Sequence, residues 1–468
     1  MYQVEAWSAL RRARRDAGRG FRWLHVRRNV WALGFTSFFT DVSSEMVGTV
    51  LPVYLVLYLG LTPFQFGIVD GLYHGVTALL RLASGVAVDR GGRAKEIAFA
   101  GYGTSAVCRL GLLAAGASWP LIAGVVAIDR AAKGARAVPR DVLISLSSRP
   151  DGLATAFGVH RALDSAGAML GPLVALAILA ALPNAFDVVF VTSFSVALVG
   201  LGVLVLFVAN AEPPSARTPA PARSLSGPPR AGAPLTGAPP AADPPAVGPR
   251  VAVPPAAARR AAAPPAAARA AVPLAAARIL EDRGLLRLTL AASLLGAVTI
   301  SDGFLYLLLQ REAGFSPGLF PLLYVGTSAC YLLAAVPAGG LADRIGRQSA
   351  FLAGYGLLAG AYVTAMQSGI GVPGVAACLV LLGVHYALTD GVLMAFASGR
   401  LPAERRGSGL ALVTTATSLA RLLASVLFGV LWTRYGVETA VPVFLIGLGT
   451  AIAIAVVVLR NAEPTRGR

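Results

Sequence analysis

The sequence predicts an all-α membrane protein with twelve transmembrane helices in two six-helix halves. Three observations carry that reading. The chain is 56% hydrophobic and only 13% charged, with a mean hydropathy of +0.68, whereas a soluble globular chain is about a quarter charged. Its apolar residues come in runs near the roughly 20 residues that a helix needs to cross about 30 Å of hydrocarbon. The two apolar blocks have nearly equal length and share a motif.

The elements follow in order. A basic tail, residues 1–29, precedes spans 1 to 6 at about 30–58, 64–88, 96–115, 120–145, 153–181 and 187–209. These make up a half over 30–210. A linker follows at 211–278, made largely of Ala, Pro and Arg. It has almost no large apolar residue to bury, so it reads as a disordered or polyproline-like cytoplasmic tether. Spans 7 to 12 lie at about 286–309, 318–341, 349–368, 373–398, 408–432 and 440–459, in a half over 279–460, before a tail at 461–468. Each run is far longer than the roughly ten alternating residues of a barrel strand, so helices are expected. The N-terminal tail lacks a small-residue cleavage site after a short apolar core and does not read as a signal peptide.

The net charge of +17 suggests a nucleic-acid partner only until it is located. Residues 1–28 carry eight Arg against Glu5 and Asp16; residues 211–287 carry ten Arg against four acids. Both segments flank apolar blocks, which is a topology signal. Alternate loops hold Arg90, Arg93 and Lys95, then Arg149, then Arg344 and Arg347, then Arg400, Arg405 and Arg406. The positive-inside rule puts both termini and the linker in the cytoplasm of a plasma (inner) membrane protein. No nucleic-acid partner is expected.

Enzyme chemistry finds no foothold. There is no HExxH, no GxSxG elbow and no P-loop. Cys108, Cys330 and Cys378 lie inside apolar spans without CxxC spacing, so neither a zinc site nor a disulfide framework is indicated. No cofactor and no metal are expected.

The shared motif runs from Gly85 to Arg93 as GVAVDRGGR and from Gly339 to Arg347 as GGLADRIGR. Both fit G-x-x-x-D-R-x-G-R at an offset of 254, which also pairs Gly60 with Gly314 and Pro63 with Pro317. Parallel repeats of six helices are a transporter architecture. On these residues the chain resembles the major facilitator superfamily over nearly everything except the tail and linker. The resemblance implies a gating latch at Gly85, Asp89, Arg90 and Arg93, repeated at Gly339, Asp343, Arg344 and Arg347. Arg130 with Gly134 is similar to the family's Arg-x-x-x-Gly element of span 4, associated with proton coupling. Gly167, Gly171 and Pro172 match part of the antiporter-type element of span 5, but Leu173, Val174 and Ala175 replace the glycines that usually follow. Small residues at that spacing also simply pack helices closely.

An ionisable residue at membrane depth is costly and marks function by default. Span 1 carries Asp41 and Glu45, one helical turn apart; span 2 carries Asp70, His74 and Arg81, within about 40° of one another on the helix. Span 4 carries Asp129 and Arg130, and span 5 carries His160, Arg161 and Asp164. The second half has Asp302, Asp390, His385 and Arg421. Spans 6, 9 and 12 are bare inside, and span 3 has only Arg109. The resemblance implies that every third span faces lipid, so the charges fall on the cavity-lining set, with Arg109 as a stray that suits an internal ion pair. Asp41 and Glu45 repel in a low dielectric, as a proton site requires; the other reading pairs them with Arg81, Arg130 or Arg161. Asp164 has basic neighbours in its own helix and can form a self-satisfied cluster.

The sum is a secondary active transporter whose partners are a small-molecule substrate, protons and the lipid bilayer. It is expected to act as a monomer and export a small organic compound by proton antiport through alternating access. Proton-coupled uptake is the alternative, followed by a non-transporting sensor or scaffold. Loading of Asp41 and Glu45, or of Asp70, drives the change of access, and the latches at Asp89 and Asp343 work the cytoplasmic gate.

Overall fold

The computed structural model describes residues 26–91, 93–148, 152–209, 282–367, 369–398 and 406–460. These form helices and no strand. The first half comprises α1 (Arg28–Val53), α2 (Pro63–Gly91), α3 (Ala94–Ala114), α4 (Trp119–Leu146), α5 (Leu153–Ala181) and α6 (Phe186–Phe207). The second comprises α7 (Arg283–Ala297), α8 (Asp302–Ala313), α9 (Pro321–Ile345), α10 (Arg347–Ala365), α11 (Gly371–Ser398), α12 (Arg406–Tyr435) and α13 (Val437–Arg460). Eight helical segments among the described residues are long and apolar enough to cross a membrane, with α7 and α8 counted as one. The charge-bearing α1, α2 and α4, and the short α10, are not among them. The linker, residues 1–25 of the N-terminal tail and the C-terminal tail lie outside the described residues.

Two breaks depart from the spans read in the sequence, and each has a local cause. Pro52 has no N–H to give the preceding turn, and α1 widens directly after it into a π-turn, Tyr54–Tyr58. Span 7 was expected as one helix; instead it stops at Ala297 and restarts at Asp302. Val298, Thr299 and Ile300 are three β-branched residues in succession, and each loses side-chain freedom against a preceding helical turn. The freed Ile300 N–H donates to the Tyr362 hydroxyl at 2.7 Å, so the break leaves that donor satisfied.

The repeat is visible in the backbone. Gly60 and Gly314, 254 positions apart, both turn the chain at left-handed φ, +70° and +65°. A side chain there would be strained, which is why glycine closes each first span. Helix pairing repeats too. In the first half α1 packs on α5 and α6, and α2 on α4; in the second α7 packs on α12 and α13, and α9 on α11.

The halves meet along α2 with α12 and along α5 with α9. A Cβ at Gly67 would lie 2.6 Å from the Ser425 carbonyl oxygen, so α2 and α12 approach backbone to backbone. Within the first half, Gly171 does the same for α5: its Cβ would meet the Val42 oxygen of α1 at 2.6 Å and Glu45 Cβ at 2.8 Å. The glycines of the antiporter-type element thus set how deeply α5 sits against the carboxylates of α1.

Gly171→Val should therefore destabilise the first half by about 1–3 kcal/mol, the usual cost of overpacking. Thermal unfolding in detergent checks this against Gly202→Val, where the added side chain meets open space. Equal melting of the two variants would show that the α1–α5 contact yields easily.

Candidate functional site

Seven charged side chains of α1, α4 and α5 form two groups of ion pairs. Lys133 of α4 reaches both Asp41, at 3.8 Å, and Glu45, at 3.7 Å, of α1. One helical turn separates those carboxylates, which lets a single ammonium serve both. Further along α4, Arg140 lies 3.6 Å from Asp164 of α5 and 3.0 Å from its neighbour Asp141. Arg161 adds a 3.3 Å contact to Asp164 from the next turn. The Lys133 and Glu45 side chains retain about a third of their accessible surface, 31% and 28%. Charged groups exposed at that depth line a water-accessible space, since lipid contact would be prohibitive. The sequence offered Arg81, Arg130 or Arg161 as partners for Asp41 and Glu45, but the partner in place is Lys133. Arg81 is exposed on α2.

Next to this cluster lies a second, fully buried one. Asp129 accepts from Arg130 Nε at 2.9 Å and from Ser105 at 2.5 Å, and Arg109 of α3 stands 3.1 Å from it. Arg109 also donates to Ser44 of α1 at 3.0 Å. The Arg130 guanidinium covers the Tyr73 ring of α2, 3.9 Å from its centre. All three charged residues are at most 3% exposed. Arg109 is thus the internal ion-pair partner that its lone position on span 3 suggested. Arg130, grouped in the sequence with the cavity residues, is committed to this network.

The seam between the halves carries the remaining candidates. Asp70 of α2 accepts a hydrogen bond from Ser425 of α12 and lies 3.8 Å from His74. About two turns away, Phe64 N–H donates to Thr433 at 2.9 Å. Phe66, Phe304, Phe428 and Trp432 stack beside them, closing the seam with rings from three helices. Asp302 opens α8 at the helix break and accepts from Tyr386 at 2.5 Å. Asp390 is exposed on α11, within electrostatic reach of Arg421. His385 is fully buried, held by the Gly354 carbonyl at 2.9 Å.

The motif residues are placed unevenly. Gly85, Asp89 and Arg90 fall on the last turns of α2, with side chains outside the described residues; Arg93 is exposed just before α3. Asp343 and Arg344 are exposed at the end of α9 beside Gly339, while Arg347 donates to the Ala395 carbonyl at 2.8 Å and ties α10 to α11. Sequence reasoning passed over Lys133, Tyr73, Tyr386 and Ser425 as partners. Lys133 had a signal: it is one of two lysines, and the only one inside a span.

Asp129→Asn would leave two guanidiniums buried without their counter-ion, a loss that costs about 3–5 kcal/mol. Greatly reduced folded yield and melting temperature are expected, beyond any effect of Lys133→Met, whose site is solvated. A variant as stable as the parent would show that Arg109 and Arg130 find other anions.

The Major Facilitator Superfamily profile matches residues 33–320 and 288–468. An uncharacterized MFS-type transporter of Methanocaldococcus jannaschii is 27% identical over 407 residues, covering 87% of this chain and 89% of that protein. An uncharacterized protein of Mycobacterium tuberculosis is 35% identical over 163 residues, 35% of this chain and 39% of its own length. Among solved structures, the nucleoside transporter NupG superposes with a TM-score of 0.67 at 13% identity, over 94% of this chain and 100% of that one. An autoinhibited POT family peptide transporter gives 0.67 at 13%, over 94% and 98%. The chain belongs to the Major Facilitator Superfamily and is a multi-pass membrane transporter, not an enzyme.

Proposed function

We propose that this transporter is secondary active, crosses the membrane twelve times, and moves a small organic compound out of the cell in exchange for protons. The observation that carries this reading is the clasp of Lys133 on Asp41 and Glu45. It is a charged group that faces water in mid-bundle, with stoichiometry that can change. A proton on either carboxylate loosens the lysine, and a cationic or polar substrate can compete for the same oxygens. Loading and release are then alternatives at one place, which is what exchange requires.

Access follows from the seam. Among the described residues, the hydrogen bonds, ring stacks and glycine approaches between the halves involve Pro52, Pro63–Gly75, Leu179, residues 302–318 and 422–433. All lie toward the bundle end away from Arg28 and Arg460. With both termini assigned to the cytoplasm by the basic loops, this is a state closed to the outside, with the clasp open to the cytoplasm. Asp89 and Asp343 would latch the other end when it closes. The linker, 211–278, acts as a tether. Uptake by proton symport is the second reading, favoured by the incomplete glycine element after Pro172.

The test is flux in proteoliposomes driven by a pH gradient, across a panel of organic cations, zwitterions and nucleosides, with internal pH followed by a trapped dye. Export by antiport predicts that a transported compound and protons move in opposite directions. Asp41→Asn and Glu45→Gln should each bring gradient-driven flux to background while the protein still reaches the membrane. Full activity in both variants would remove these carboxylates from coupling. Removing residues 215–270 should leave the flux unchanged, and its loss would show that the linker does more than connect.

A further inference from the structure

The break in span 7 starts a new helix inside the bundle, and that helix has no cap from its own side chains. Gly303, Phe304 and Leu305 in the first turn of α8 are buried, and Ser301 in the cap position makes no side-chain hydrogen bond to them. The N–H groups of a first turn have no carbonyl of their own helix to bond, and together they carry about half a positive charge. Asp302, the acid of that turn, is engaged by Tyr386 of α11. What stands against the turn comes from the other half. A Cβ at Gly303 would lie 3.4 Å from Asp70 Oδ1, 3.3 Å from Pro52 Cγ and 2.8 Å from Phe66 Cζ. Glycine at 303 therefore lets α2 set a carboxylate directly on the helix end. Close approach to α12 fixes α2 in place: a Cβ at Gly67 would lie 2.6 Å from the Ser425 carbonyl oxygen, and one at Gly71 3.0 Å from that of Leu422. The Ser425 hydroxyl donates to Asp70 Oδ2, so the other oxygen, Oδ1, is the one at the helix end. Phe304 of the same turn sits between Phe66 and Phe428, with ring centres 4.7 and 4.9 Å away.

We infer that ionised Asp70 is the missing cap of α8, supplied across the seam, and that its charge on this helix end is the latch that holds this end of the bundle closed. The helix end and Ser425 both belong to the second half, so Asp70 leaves them together when the halves part. His74 stays with it, being on α2, 3.8 Å from Asp70 Oδ1 and with 39% of its side chain exposed. Asp70 thus keeps a neighbour in the parted state, whereas the end of α8 is left without a side-chain cap. Water that enters the seam can replace the serine hydroxyl and bond the first-turn N–H groups. It does not replace the attraction between a whole negative charge and the helix end, which is strongest while both are dry. The break in span 7 gains a purpose from this, since an unbroken helix would present no such end to Asp70. The latch assigns Asp70 to gating and leaves the proton traffic to the clasp. That this is the outer end rests on the topology proposed above; the latch itself does not.

Distances between paired spin labels on the full-length protein in lipid nanodiscs read the latch. The labels go on Thr62→Cys and Ser316→Cys, exposed residues of the two halves at this end, in a Cys330→Ala background, since Cys108 and Cys378 are buried. Asp70→Asn keeps the shape and can still accept from Ser425, so it removes the charge alone. The ratio of open to closed populations should rise about 10-fold, within the range that a charge at a partly buried helix end is worth. Ser301→Asp gives α8 a cap of its own and sets a like charge against Asp70. It should open the same end about as far while the melting temperature holds or rises, an outcome that damage to packing does not produce. The two substitutions together should open it no further than either does alone, because both act on one interaction. An unchanged ratio in either single variant, or effects that add, would overturn the latch. Failure of the transport reading looks different. Flux that ignores a pH gradient, with the ratios as expected, rejects proton exchange. Reaction of Thr62→Cys with a membrane-impermeant thiol reagent from the cytoplasmic side alone rejects the assigned topology. Both results leave the latch standing.

Discussion

Asp129 stands between two guanidiniums where no water reaches, and the first half is arranged around keeping it there. At 3.1 Å and an effective dielectric near 20, a unit ion pair is worth roughly 5 kcal/mol, against a desolvation penalty of several kcal/mol per ion. Such a cluster adds little net stability, but it is expensive to disturb. It joins α3 to α4 directly, α1 through Ser44 and α2 through the Tyr73 ring. A half held by such a pin moves as one body, because sliding any of the four helices would strand a buried charge.

The same α4 carries a cluster of the opposite character one turn later. Lys133 stands 3.7 and 3.8 Å from its carboxylates, and its side chain is about a third exposed. Ion pairs with that much solvent are worth about 0–1 kcal/mol, so the clasp exchanges partners at little cost. Position along the helix, not its face, explains the division: Asp129, Lys133, Arg136 and Arg140 follow at spacings of four, three and four and share one stripe. Asp129 sits where α3 supplies Arg109, and Lys133 one turn on, where α1 supplies Asp41 and Glu45 beside solvent. One stripe of α4 can therefore be a fixed pillar at one level and a chemical surface at the next.

Much of this was legible in the sequence. Hydropathy and the repeat at offset 254 located the helices, and Gly60 with Gly314 showed where the first spans turn. The depth of Asp41, Glu45 and Asp164 in apolar runs marked the region that the structure assembles from three helices. What remained hidden was pairing. A periodicity says which residues share a face, not which face meets which neighbour, so Arg130 looked available to the cavity when it was bound to Asp129. Lys133 was passed over for arginines, of which Arg130 is paired with Asp129 and Arg161 with Asp164. The break at Val298–Ser301 escaped because a short β-branched run costs a helix little by itself; the Tyr362 hydroxyl, 62 residues away, holds the released backbone.

The contacts that must be given up in an access change differ from those that hold a half together. Across the seam, Asp70 bonds a serine hydroxyl and Phe64 N–H bonds a threonine hydroxyl, interactions that water can replace when the surfaces part. The aromatic cluster of Phe66, Phe304 and Phe428 is non-directional and reforms without registry. Only the backbone approach of Gly67 and its neighbours to α12 demands a close fit, and it demands shape, not charge. The half itself is locked by ion pairs that water would have to penetrate to release. Stiff bodies joined by replaceable bonds are what rigid-body alternation between two states requires, and here the distinction comes down to where each charge was allowed to meet water.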